Sequence, residues 1–243
     1  MPRPILAILH QDDRLVAVHK PSGMAVHRSD QVRDRAPALQ CLRDQLGQWV
    51  YPVHRLDRGT SGVLLFALDP QTAGVIGECL RDRAADKRYL AVTRGYAPPK
   101  AEIDRALCDG DEETPKPART SLRRMATVEL PIPVGRYPCA RYSLVELRPH
   151  SGRSHQLRKH MAHLRHPIVG DVRHGEGRHN RLFREHFGVE RMLLHARRLT
   201  LPDPSTGRPL VIEAPLDEQW SSLMTTLGWA DVLGDAHATT TAG

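Results

Sequence analysis

Residues 15–19, Leu-Val-Ala-Val-His, are a mostly apolar, β-branched run that meets Lys20-Pro21-Ser22-Gly23, which reads as a strand entering a turn. Leu39, Leu42 and Leu46 recur at helical spacing before Gly47, so a short helix ended by glycine is predicted there. Residues 51–56 and 63–68 read as extended pieces, and the Asp-Arg-Gly-Thr-Ser-Gly stretch at 57–62 between them reads as a tight loop. A helix follows over 71–83 and a strand over 88–93. Residues 97–119 form a Pro-rich, acid-containing excursion, expected to be mobile and to carry no chemistry. Apolar runs at 127–130 and 142–147 predict two more strands ahead of a loop at 149–153. Ser154 then stands as the N-cap of a helix reaching Leu164, and Pro167 ends it. Late strands at 193–201 and 210–214, a last helix at 216–227 and a disordered tail after Gly234 complete the reading. Strands and helices mix without a βαβ alternation. The expected class is therefore α+β, with a mixed, largely antiparallel sheet flanked by helices and loops.

A chain of 243 residues, 40% apolar and 26% charged, can bury a substantial core. We expect one catalytic domain over 1–230 and a disordered tail over 231–243. No apolar N-terminal segment and no run of about 18 apolar residues is present, so neither a signal peptide nor a membrane span is expected. The expectation is a soluble, cytoplasmic protein. Cys41, Cys79, Cys108 and Cys139 form no C-x-x-C pair, which argues for free thiols over a zinc ribbon or a disulfide framework. Lys and Arg number 35 against 28 Asp and Glu, a formal charge of +7 that suits a polyanionic partner. Aromatic residues make up only 5%, too few for rows of base-stacking rings, so a folded nucleic acid fits better than a bare single strand.

Chemistry concentrates in His54-Arg55-Leu56-Asp57-Arg58-Gly59-Thr60-Ser61-Gly62, where one carboxylate stands between two arginines that favour its ionised form. Such a carboxylate is a usable nucleophile or ion stabiliser; the structural alternative is a turn whose Asp simply pairs with Arg. His155, His160, His163 and His166 crowd one predicted helix, yet no H-E-x-x-H occurs and Arg158, Lys159 and Arg165 would repel a cation, so no metal is expected. Gly59-Thr60-Ser61-Gly62-Val63 imitates the G-x-S-x-G hydrolase elbow but lacks its last glycine.

The 54–62 string resembles the H-R-L-D-x-x-T-S-G signature of the RluA-type pseudouridine synthases, with Arg58 and Gly59 at the variable positions. The resemblance continues in order through Lys20-Pro21-Ser22-Gly23, Lys87-Arg88-Tyr89-Leu90-Ala91, the 151–158 block Ser-Gly-Arg-Ser-His-Gln-Leu-Arg, His166-Pro167-Ile168-Val169-Gly170-Asp171 and Leu194-His195-Ala196. It covers roughly residues 5–215. His19, Ser151 and His174 depart from the residues usual in the family. The resemblance implies a pseudouridine synthase fold with a cleft across its sheet and an isomerase that needs neither metal nor organic cofactor. It implies Asp57 as the catalytic carboxylate, Tyr89 stacked on the target base, and Arg158 paired with Asp57. Arg55 would enter the base stack, Arg153 would hold the RNA backbone, and His54 and Arg58 would add RNA contacts. Gly135-Arg136-Tyr137-Pro138, Arg141-Tyr142 and His186-Phe187-Gly188 resemble a tRNA-modifying group whose target is uridine 65. A monomer acting on tRNA is expected; the alternatives are a synthase acting on ribosomal RNA and a non-catalytic RNA-binding module.

Overall fold

The structure, a computed structural model, describes residues 3–27, 36–108 and 114–233. Of the tail expected to be disordered, 234–243 lie outside the described residues, while 231–233 belong to an ordered 3-10 turn, Ala230–Leu233. The chain forms two compact units, Met1–Tyr89 with Leu194–Pro215 and Leu90–Leu193 with Leu216–Gly243.

In the first unit β1 (Ala7–Gln11), β2 (Leu15–Lys20), β4 (Ser61–Ala67) and β9 (Leu194–Pro202) lie side by side, with β3 (Tyr51–Pro52) on β4 and β10 (Pro209–Glu213) on β9. All these pairs are antiparallel except β4 with β9, which run parallel. Alternation explains why β2 and β4 read as unbroken apolar runs. Val16, Val18, Leu64 and Phe66 enter one buried cluster, while Leu15, Ala17, Val63, Leu65 and Ala67 enter another. Helix α1 (Ala38–Leu46) adds Ala38, Cys41 and Leu42 to the first cluster, and α2 (Pro70–Arg81) adds Ile76 to the second. Gly47 closes α1 in the left-handed region at φ 66°. Asp69 starts α2, accepting from the Thr72 amide at 2.8 Å.

The second unit orders the latter part of β5 (Asp86–Arg94), β8 (Ala140–Pro149), β7 (Arg119–Leu130) and β6 (Lys100–Asp104). Leu90, Val92, Tyr142 and Leu144 pack with Leu182 and Phe183 of α4 (Gly177–Phe187) and with Trp220, Leu223 and Met224 of α5 (Glu218–Thr226). The fold is thus α+β with largely antiparallel pairing.

Several expectations need correction. Only Tyr51–Pro52 of the 51–56 piece is strand, because the next ladder position is taken by a side chain: the Leu65 amide donates to His54 Nε2 at 3.0 Å. The 97–119 excursion holds β6, which pairs along the start of β7, and a Leu107–Lys116 bridge; residues 109–113 lie outside the described range. Ser154 does not cap α3 (Gln156–His163). His155 does, with φ 54° and no side-chain cap bond. Strand β1 and helix α4 were unexpected; α4 buries only Leu182 and Phe183, too thin a stripe to register as periodicity.

Candidate active site

Asp57 is half-buried and opens a turn in which the Thr60 amide donates to the Asp57 carbonyl at 3.0 Å. A second turn grips this one. The Gly23 amide donates to Arg58 O at 2.8 Å, Ser22 Oγ to Gly59 O at 2.7 Å, and Arg58 Nε back to Gly23 O at 2.9 Å. Lys20, fully buried, gathers the carbonyls of Pro21, Met24 and Arg58 at 2.9, 2.7 and 3.1 Å. An ammonium has three donors and no acceptor, so it joins three converging carbonyls without leaving a buried donor unmet. The Lys-Pro-Ser-Gly block therefore serves as the clamp of the aspartate loop.

The loop's exit is fixed just as firmly. Gly62 pairs with Ala196 at φ +111°, and a Cβ on it would come within 2.1 Å of Ala196 O, so no other residue fits. Ser61 is buried and bonds His195 Nδ1 at 2.9 Å, while His195 Nε2 lies 3.2 Å from Ala214 O. The carbonyl can only accept, so Nε2 carries the ring proton and Ser61 Oγ donates to Nδ1. The hydroxyl that mimics a hydrolase serine thus ties β4 to β9.

Burial, and then the nearby charge of Lys87, pushes His54 down to about 3. Its ring is neutral and its Nε2 accepts the Leu65 amide, so it supports β4. Lys87 is itself shifted down by burial. Tyr89, half-buried at the edge of the first cluster, is raised by burial and then by the charge of Asp57. Its phenol stays protonated at neutral pH, offering a flat face and an O–H rather than a phenolate base. Arg55 and Arg58 are exposed, with the Arg58 Nε bond to Gly23 already noted.

In the second unit Arg158, on α3, forks onto Asp171 through Nε and Nη2, both at 2.8 Å. Arg153 sits in the preceding loop with Nε 3.3 Å from Pro117 O, and its amide bonds Gln156 Oε1. The four crowded histidines do not converge. His160 is buried between Thr120 Oγ1 and Arg105 O, His155 bonds His174, His163 meets Arg105, and His166 donates to Arg94 O. Among the described residues no group of three His, Cys, Asp or Glu could hold a metal ion.

Lys20 and Asp171 are the residues to which sequence reasoning gave no role. Both stand inside motif blocks, so their positions were visible although their partners were not.

The RNA pseudouridylate synthase family profile matches residues 14–163. The tRNA pseudouridine synthase C of Salmonella typhi is 47% identical over 95% of this chain and 93% of its own length. That of Vibrio cholerae serotype O1 is 48% identical over 94% and 98%. Among solved structures, human RNA pseudouridylate synthase domain containing 4 superposes with a TM-score of 0.71 at 25% identity, covering 91% of this chain and 93% of that one. Human RNA pseudouridylate synthase domain containing 1 gives 0.69 at 29% identity, covering 87% and 83%.

Proposed function

This chain belongs to the RNA pseudouridylate synthase family, and on that premise we propose that it converts uridine 65 of tRNA to pseudouridine with Asp57 as the catalytic carboxylate. The reaction class, an isomerisation by an RNA pseudouridine synthase, follows from the family. The tRNA substrate is supported by the relatives in Salmonella typhi and Vibrio cholerae, and position 65 by the resemblance of the 135–138, 141–142 and 186–188 segments.

The observation that carries the role of Asp57 is its loop, pinned by Lys20, Ser22 and Gly23 on one side and by the Gly62–Ala196 junction on the other. Pinning fixes the backbone that carries the carboxylate, so less ordering remains to be done when substrate arrives. The N1–C1′ bond must break, the base must turn, and a C5–C1′ bond must form while C5 gives up its proton and N1 gains one. A fixed carboxylate serves this by attacking C1′ or by taking the C2′ proton, and either way it returns unchanged. Tyr89 stacks on the turned base and keeps its proton. Arg158 is the arginine to which the family resemblance assigns support of the catalytic charge. Arg55 fills the gap left by a uridine pulled from its stack, a step costing about a few kcal/mol, while Arg58 and Arg153 hold phosphates. We place this work in the cytoplasm, by a monomer without metal or organic cofactor. No described helix is long and apolar enough to cross a membrane.

The test uses unmodified tRNA carrying tritium at uridine C5. Wild-type protein is expected to release label from position 65 only, and Asp57→Asn to bind the tRNA and release none. Equal release by Asp57→Asn would remove that carboxylate from the mechanism, and label leaving other positions would overturn the assignment to uridine 65.

A further inference from the structure

Asp171 lies in the loop between α3 and α4 in the second unit, and its carboxylate is nearly sealed from solvent. Its side chain is 1% exposed and that of Arg158 11%. The two meet as fork against fork: Arg158 Nε donates to Oδ2 and Nη2 to Oδ1, both at 2.8 Å. Oδ1 also accepts the Arg173 and His174 amides at 2.9 and 3.0 Å. Burial alone would raise the Asp171 carboxyl, but the Arg158 fork and these amides outweigh it and hold it below the usual carboxylate range.

The carboxylate is anchored independently of the arginine. A Cβ at Gly170 would lie 2.0 Å from Arg191 O, and one at Gly175 would lie 2.1 Å from Asp171 O, so the backbone on both sides is packed without slack. Asn180 spans the loop, accepting from the Gly170 amide at 2.8 Å and donating to Asp171 O at 3.0 Å. Asp171 is the fixed member of the pair and Arg158, on its long stem, the member being held.

A buried ion pair is a poor source of net stability, because desolvating both charges offsets most of their attraction. What a two-point fork does supply is direction: with Nε and Nη2 engaged, the guanidinium plane and the aim of its Nη1 edge are set. From this geometry we infer that Asp171 is a positioning residue for the isomerisation, fixing the plane and direction of the Arg158 guanidinium. The inference rests on the proposed role of Arg158 in the reaction.

The test separates rate from binding. Single-turnover tritium release at saturating tRNA, the tRNA dissociation constant and thermal unfolding are measured for wild type, Asp171→Asn, Arg158→Ala and the double variant. Asp171→Asn is expected to slow release on the order of a hundredfold, the usual consequence of a catalytic group displaced by about 1 Å. Its dissociation constant should stay within about threefold of wild type, since the loss lies in the transition state. In the Arg158→Ala background the same change should cost nothing further, because it acts only through that arginine. If Asp171→Asn does not fold, Asp171→Glu gives the reading: it keeps the charge but carries it one methylene further, and should lose rate while keeping tRNA affinity. Full rate in a folded Asp171→Asn or Asp171→Glu protein, or an equal loss with and without Arg158, overturns the inference. Arg158→Ala at wild-type rate would overturn it too, by removing the arginine it acts through, whereas a wild-type protein that releases no label overturns the proposed function instead.

Discussion

Three residues before Asp57, the His54 ring is uncharged at neutral pH, and that has a measurable consequence. An unfolded chain takes up this proton near pH 6.5, whereas the folded protein takes it up only near 3. Between those values the unfolded state binds more protons, so stability falls as pH falls, by up to about 1.4 kcal/mol per pH unit from this group. Asp171 acts in the same direction: its folded value is depressed, so its contribution is complete above the unfolded carboxylate value and is lost as acid is added. His54→Gln keeps an acceptor for the Leu65 amide but cannot titrate. Chemical denaturation at stepped pH should show its stability curve flatter than wild type between pH 6.5 and 4; superimposable curves would mean that His54 is already solvated. At this scale the resemblance picked out Asp57 and Tyr89, whereas the neutral, accepting ring of His54 was not legible, because a histidine's charge depends on burial that its neighbours in the chain do not reveal.

At the scale of elements, two junctions hold the aspartate loop, and each can be broken alone. Gly62→Ala puts a methyl into Ala196 O where β4 and β9 run parallel, at a φ that side chains avoid. It is expected to destabilise by about 3 kcal/mol or more, read from urea midpoints. Lys20→Met strips the ammonium from three carbonyls and should cost roughly 2–3 kcal/mol, lowering the melting temperature by about 5–10 °C. A Lys20→Met protein melting with wild type would show that water replaces the ammonium freely. The strands β2 and β4 were legible because their apolar runs need no tertiary context. Helix α4 was not, since a helix with two buried residues is made stable by the unit it packs on. The second half of the 51–56 piece failed for a related reason: a ring nitrogen took the place of a backbone acceptor.

For the molecule as a whole, a formal charge of +7 and the exposed Arg55 and Arg58 argue that tRNA affinity is strongly electrostatic. The association constant should fall with salt on a log–log slope of magnitude about 3 or more, and Arg55→Ala or Arg153→Ala should each reduce that slope by about 1. Asp57→Asn should leave the slope intact. Binding that ignores salt would point to contacts other than phosphate. The amino-acid order by itself determined the family, the loop that carries Asp57 and most strands, since these are written in contiguous residues: a nine-residue string, alternating apolar positions, a glycine where only glycine fits. Tertiary structure alone decided which charges meet. Lys20 finds the Arg58 carbonyl 38 positions away, and Arg158 finds Asp171 across a turn of chain. A sequence states which groups carry charge, but their partners are chosen by distance and desolvation, and both exist only once the chain has folded.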